Sequence, residues 1–330
     1  MKKEGYIPYF KGKKITVMGL GLLGRGLGVT KFLAECGADL IVTDLKTEEQ
    51  LKTSIKKLSN FLNIKFVLGE HRLEDFRGRD VIIKAAGVPL DSPFIEEARK
   101  NNIPVEMDAS LFTKIAGGVY TIGVTGTRGK STVTHLLFEI IKNASSSVIP
   151  DSIRNPEKNL KQKVFLGGNV KGLATLPLLK KVKPGDIVLM ELDSWQLQGF
   201  GDAKVSPNLA LFTTFLPDHL NYYKGDMEKY FSDKANIYRN QKEGDVLFMR
   251  PVVAEFIEEK GIEKKGDSFV VDKRLIPKNW KVKLLGEHNM ENVALAIASA
   301  MEVGVADNII KKTVENFTGV PGRLQFIREW

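Results

Sequence analysis

Two glycine-rich turns hold the residue types best suited to chemistry. In Gly123-Val-Thr-Gly126-Thr127-Arg128-Gly129-Lys130-Ser131-Thr132, glycines lead into a lysine and two hydroxyl side chains. Backbone N–H groups of such a loop can cradle phosphates, the lysine adds a point charge, and a hydroxyl can ligate magnesium. The strict G-x-x-x-x-G-K-[ST] spacing fails by one residue, because Val124 stands where the first glycine belongs. A strand pattern before the loop and an amphipathic helix pattern after it favour a nucleoside triphosphate over an incidental Gly-Lys turn.

The second turn is Gly19-Leu20-Gly21-Leu22-Leu23-Gly24, with Asp44 twenty residues beyond it. Glycines allow a tight turn and close approach to a diphosphate at a helix N-terminus, and an acidic side chain at Asp44 could accept a ribose hydroxyl. The plain alternative is a helix–strand packing turn. A nicotinamide-dependent oxidoreductase needs only this turn, and a simple NTPase only the other; a chain with both asks for a reaction that uses two nucleotide-type ligands.

Other candidates lie farther along. Glu191 ends an apolar strand pattern, as a magnesium-binding carboxylate of the Walker B type commonly does; the bland reading is a strand-end surface carboxylate. Asn289 and Asn292 stand one helical turn apart and can face one ligand. His71 and His135 fit no motif and read as surface or packing residues. His288 reads as a helix cap or a neighbour of the site, and Trp195 and Phe200 as packing residues.

The elements that must position these groups follow an α/β alternation. Strands are expected at 15–20, 39–43, 81–86 and 104–107, with helices at 22–36 and 93–102 between them. The segment Ile115-Ala-Gly-Gly118 reads as a linker. A second α/β unit opens with the strand Tyr120–Thr125 and a helix whose Val133, Leu136, Leu137, Ile140 and Ile141 fall on one face. Further strands are expected at 186–192, 209–215 and 245–249, and closing helices at 288–302 and 306–316. The polar stretch 145–163 reads as an inserted surface loop. A length of 330 residues suits two domains: a Rossmann-like parallel-sheet domain over 1–116, then a P-loop-type α/β ATPase domain over 117–320, with a short remainder at 321–330.

Composition narrows the classes further. Hydrophobic residues at 43% and charged residues at 27% fit a globular chain and exclude disorder. No apolar run approaches the ~20 residues of a membrane span, and no secretory signal is evident, so a cytoplasmic location is the default. The single cysteine, Cys36, rules out an intrachain disulfide and a multi-thiolate metal site. The net charge of +9 is spread in short lysine clusters, which favours a solvated surface over a nucleic-acid track.

Taken in order, several motifs resemble the Mur ligases, the ATP-dependent amide-bond-forming enzymes of peptidoglycan synthesis. They are the Gly-Leu-Gly turn, Gly126-Thr-Arg-Gly-Lys-Ser-Thr132, Gly167-Gly-Asn-Val170, Glu191-Leu-Asp-Ser-Trp-Gln-Leu197 and Pro217-Asp-His-Leu220. They continue with Lys234 in Tyr230-Phe-Ser-Asp-Lys-Ala-Asn-Ile237, then Gly286-Glu-His-Asn-Met-Glu-Asn292 and Gly319-Val-Pro-Gly-Arg323. The likeness covers essentially the whole chain and is greatest to the D-glutamate-adding branch, whose substrates are UDP-N-acetylmuramoyl-L-alanine and D-glutamate.

The resemblance implies ATP and two Mg2+ ions, with no NAD, no nucleic acid and no membrane partner. The substrate carboxylate takes the γ-phosphoryl group of ATP to give an acyl phosphate, which the amino acid's amine then attacks. It implies that Lys130 contacts the β/γ-phosphates, that Ser131 or Thr132 and Glu191 ligate magnesium, and that His219 and a CO2-carbamylated Lys234 complete a second metal site. Carbamylation needs an unprotonated amine, hence a depressed lysine pKa. By the same resemblance Gly126–Thr132, Asn289, Asn292 and the hinge arginine Arg323 bind ATP. Gly19, Leu20, Gly21, Leu22, Leu23, Asp44, Asn169 and Asp193 serve the UDP substrate.

Three residues depart from the family pattern: Arg128 where asparagine is usual, Asp193 where serine is common, and Gly322 where histidine is frequent. Family members also carry a third, C-terminal domain that supplies the amino-acid site, whereas this sequence ends at Trp330. The expectation is a truncated, interrupted or split ligase, the last case with its last domain separately encoded, that binds nucleotide without efficient ligation alone. A sister Mur ligase, a non-catalytic nucleotide-binding module and, last, an oxidoreductase remain as alternatives.

Overall fold

A computed structural model describes residues 5–146, 162–170, 172–262 and 266–320. The chain divides into two compact units. The first comprises residues 1–118, 167–184 and 195–205, and the second residues 119–166, 185–194 and 206–330. The division at 118/119 falls at the end of the glycine-containing segment read as a linker. Two later segments group with the first unit, which a division at a single point along the chain does not provide. No helix among the described residues is long and apolar enough to cross a membrane.

In the first unit the order is α1 (Ile7–Phe10), β1 (Lys14–Met18), α2 (Arg25–Glu35), β2 (Asp39–Asp44), α3 (Glu48–Leu58), β3 (Ile64–Leu68), β4 (Val81–Lys84), α4 (Pro93–Lys100), β5 (Val105–Glu106) and α5 (Asp108–Ile115). The five strands are parallel in the order β3-β2-β1-β4-β5. Near-continuous runs of β-branched and other apolar residues bury β1, β2 and β4 on both faces, as a sheet covered by helices requires. Strand β1 lies between β2 and β4, so the strand order reverses there. The crevice at the carboxyl ends of such strands is where open α/β sheets take ligands. The helix after β1 starts at Arg25, not at Leu22, because the glycine-rich turn occupies the residues between. Helix α3 and strand β3 carried weaker sequence signals. Helix α3 is nonetheless well specified, with a Thr47–Gln50 capping box, acids in its first turn and lysines in its last.

The second unit contains β6 (Tyr120–Thr125), α6 (Lys130–Ser146), β7 (Val164–Gly168), β8 (Ile187–Glu191), α7 (Ser194–Asp202), β9 (Leu209–Phe212), α8 (Leu220–Tyr223), α9 (Met227–Ala235), β10 (Val246–Met249), α10 (Pro251–Glu259), β11 (Asp267–Val270), α11 (Glu287–Glu302) and α12 (Asp307–Asn316). Beyond Ser194, α7 groups with the first unit, as do the last two residues of β7. The sheet order is β11-β10-β9-β6-β8-β7. The apolar face of α6 packs on it, with Val133, Leu136, Leu137, Ile140 and Ile141 in one core with Val293, Leu295 and Ile297 of α11. Strand β6 has β8 on one side and β9 on the other, both parallel. This second reversal of strand order collects the loops after β6, β8 and β9 at one edge. Most of the expected surface loop, residues 147–161, lies outside the described residues, as do Gly322, Arg323 and the segment 321–330.

Candidate active site

The loop after β6 is built by its neighbours as much as by its glycines. Val124, the residue that breaks the strict spacing, is buried in β6 opposite Glu191 of β8, so the turn begins only after Thr125. A Cβ on Gly129 (φ +91) would strike the Asn292 carboxamide, whose Cγ lies 3.1 Å away. A Cβ on Gly126 (φ +136) would meet Thr214 N at 2.8 Å. Both positions therefore require glycine. Thr213 and Thr214, expected to continue β9, leave the sheet and clamp the loop instead. Thr127 N donates to Thr214 O (2.8 Å), Arg128 N donates to Thr214 Oγ1 (2.9 Å), and Thr213 Oγ1 lies within hydrogen-bond distance of Thr125 O and Arg128 O. Thr127 Oγ1 is itself held by the backbone of Leu216. These threonines were missed in the sequence; the only signal is a Thr-Thr pair at the end of an apolar strand.

Two lysines from distant segments meet on one carbonyl. Lys130 Nζ donates to Gly126 O (2.8 Å) and Thr127 O (3.1 Å), and Lys234 Nζ, from α9, donates to the same Gly126 O (3.0 Å). Lys234 is only 1% exposed, and its Nζ sits 4.8 Å from the Tyr230 ring centroid. Burial, reinforced by the Lys130 charge, pulls its pKa down to about 7. Burial also lowers the pKa of Lys130, against the pull of Glu191, Asp193 and Asp218. The expected Lys130, Glu191 and Lys234 thus gather around the loop, with Asp193 and Asp218 within electrostatic reach of both lysines. His219 has left-handed backbone (φ +53), donates its N–H to Asp218 Oδ1 (2.9 Å), and turns its ring edge-on to Tyr230. Arg128 is exposed and 3.8 Å from Asp218. Ser131 and Thr132 are half-buried in the first turn of α6. Asn289 and Asn292 are buried and bonded to each other, while Asn292 Oδ1, against Gly129, has no partner among the described residues.

His135, expected to be a surface or packing residue, is half-buried on α6 with Glu191 within electrostatic reach, and burial lowers its pKa. The available signal was its spacing of four residues from Ser131, which puts both on one helix face. His71 is a packing residue, edge-on to Phe94 and bonded to Thr43 Oγ1.

In the first unit, Asp44 turns back onto the glycine loop. Its Oδ2 accepts from Gly21 N (2.8 Å) and its Oδ1 from Lys46 N (2.9 Å), so the carboxylate shapes the turn that Gly19, Leu20 and Gly21 open. Leu20 is buried, and Leu22 and Leu23 are exposed at the tip. The sequence reading did not single out Gly26. A Cβ there would press into the carbonyls of Gly19 and Leu20, so α2 approaches the turn more closely than any side chain permits. Asn169 lies in this unit too, its Oδ1 accepting from Arg25 Nη2 (2.9 Å).

Residues 13–106 match the N-terminal domain of MurD-like Mur ligases, and residues 124–261 match the Mur ligase middle domain. The UDP-N-acetylmuramoylalanine--D-glutamate ligase of Roseiflexus sp. (strain RS-1) is 34% identical across 96% of this chain and 70% of its own length. The chain belongs to the Mur ligase family. The enzyme of the same name from Geobacillus kaustophilus (strain HTA426) is 31% identical over 97% of the chain and 70% of its own. Two solved Mur ligase structures share the fold. A UDP-N-acetylmuramate-alanine ligase from Thermotoga maritima has a TM-score of 0.52 at 22% identity, covering 93% of this chain and 69% of its own. A UDP-N-acetylmuramate:L-alanyl-gamma-D-glutamyl-meso-diaminopimelate ligase from Neisseria meningitides has 0.58 at 16%, covering 94% and 99%.

For this Mur ligase, the metal question turns on the donor set. Among the described residues no three His, Cys, Asp or Glu side chains stand close enough to hold an ion by themselves. Mg2+ keeps several waters and is bound through one or two carboxylates plus substrate phosphates, so it needs no such cluster. Buried Glu191, within electrostatic reach of Lys130 and His135, has the donor chemistry for such an ion.

Proposed function

We propose that this Mur ligase spends ATP to activate the carboxylate of UDP-N-acetylmuramoyl-L-alanine as an acyl phosphate and joins it to D-glutamate, in the cytoplasm. The observation that carries the reading is the meeting of Lys130 and Lys234 on Gly126 O, with Glu191, Asp193 and Asp218 around them. Phosphoryl transfer between anions is governed by held positive charge, which Lys130 on the loop would supply to the terminal phosphates. Lys130 exchanges its loop carbonyls for β/γ-phosphate oxygens. Ser131 and Glu191 hold one magnesium, and His219 with Lys234 as a carbamate holds a second. Bound magnesium supplies neutralisation of phosphate charge. Asn289 and Asn292 border the adenosine. The Gly19–Leu23 turn, Asp44 and Asn169 receive the UDP substrate. The identity to D-glutamate-adding relatives supports the choice of amino acid.

Isothermal titration tests this directly. The chain should bind ATP with magnesium, and should bind UDP independently. Lys130→Ala removes a charge-assisted contact and should weaken ATP about 10- to 100-fold while sparing UDP. Failure of the wild-type chain to bind either nucleotide defeats the reading.

A further inference from the structure

Asn169 is oriented by a residue outside the recognised motifs. Arg25, the first residue of α2, takes its Oδ1 as acceptor at 2.9 Å. A carboxamide has one acceptor end and one donor end, so an Asn169 tied through Oδ1 directs its N–H donors elsewhere. The pair is braced on both sides. Asp108, within electrostatic reach of Arg25, accepts from Thr175 N and Leu176 N at 2.7 Å each. Thr175 Oγ1 in turn accepts from Gly168 N at 2.9 Å, fixing the backbone next to Asn169. On the other side Gly26 lets the first turn of α2 press onto the glycine loop. Arg25 Nε is buried and has no partner among the described residues.

We propose that Arg25 is a positioning residue that locks the Asn169 carboxamide with its donors toward the ligand, so that this edge selects an acceptor-rich anion, the diphosphate of the nucleotide-linked substrate. This rests on the reading of Asn169 as a substrate-side residue. A permanently charged guanidinium at the start of an eleven-residue helix favours negative charge at the same spot. Arg25 thus contributes through orientation and field, without itself being consumed in any chemical step.

UDP and uridine differ by the diphosphate and serve as probes on the full chain. Arg25→Leu should weaken UDP about 10-fold or more, and leave uridine and ATP affinities unchanged. Asn169→Asp keeps a partner for Arg25 but replaces the outward donors with an anionic acceptor, and should lose UDP while keeping uridine. Unchanged UDP affinity in Arg25→Leu, or an equal loss of UDP and uridine in both variants, overturns the proposal. A wild-type chain that binds neither probe defeats the substrate-side reading beneath it instead.

Discussion

Lys234 should take up CO2 at a pH where an ordinary lysine would not. Its amine is buried, shares Gly126 O with Lys130, and has its pKa lowered to about 7. At pH 8 about nine tenths of such an amine is neutral, against about 0.4% for a lysine near 10.4, an advantage of about 230-fold in the reactive form. At pH 6 the neutral share falls to about one tenth. The neutral amine's lone pair forms the N–C bond to CO2 and one proton leaves to solvent, converting a neutral amine into an anionic oxygen donor. Carbon-13 NMR of the chain under a fixed pressure of labelled CO2 should show one carbamate that grows steeply between pH 6 and 8 and is missing in Lys234→Met. Lys130→Met removes the neighbouring positive charge and should move the rise to higher pH. A carbamate that survives Lys234→Met, or one that appears only above about pH 9, would refute the electrostatic reasoning.

Two further outcomes follow from the same contacts. Gly129→Ala forces a Cβ into the Asn292 carboxamide at a positive φ; it should cost about 1–3 kcal/mol in a urea melt and abolish ATP binding, and a neutral result would show that the loop is not pressed against α11. The depressed Lys234 pKa means that the unfolded chain binds the proton more tightly, so stability should rise by about 2 kcal/mol between pH 7 and 9, and Lys234→Met should flatten that slope.

The sequence by itself determined the local pieces. The two glycine turns, the Lys-Ser-Thr start of α6, its one-sided apolar face and most strand positions were legible because each depends on residues close in the chain. Their ends were less so: β9 stops at Phe212 because Thr213 and Thr214 are recruited to the loop after β6, more than 80 residues earlier. Only the tertiary structure decided what meets what. The placing of β6 between β8 and β9 brings Glu191 opposite Val124, and the packing of α9 brings Lys234 onto Gly126 O. The grouping of residues 167–184 with the first unit joins Asn169 to Arg25. Asp44 likewise has its hydrogen bonds fixed by how the turn closes. A linear pattern records periodicity and turn chemistry, but strand order and long-range hydrogen bonds arise from burying many faces at once, and no short window of residues contains that constraint.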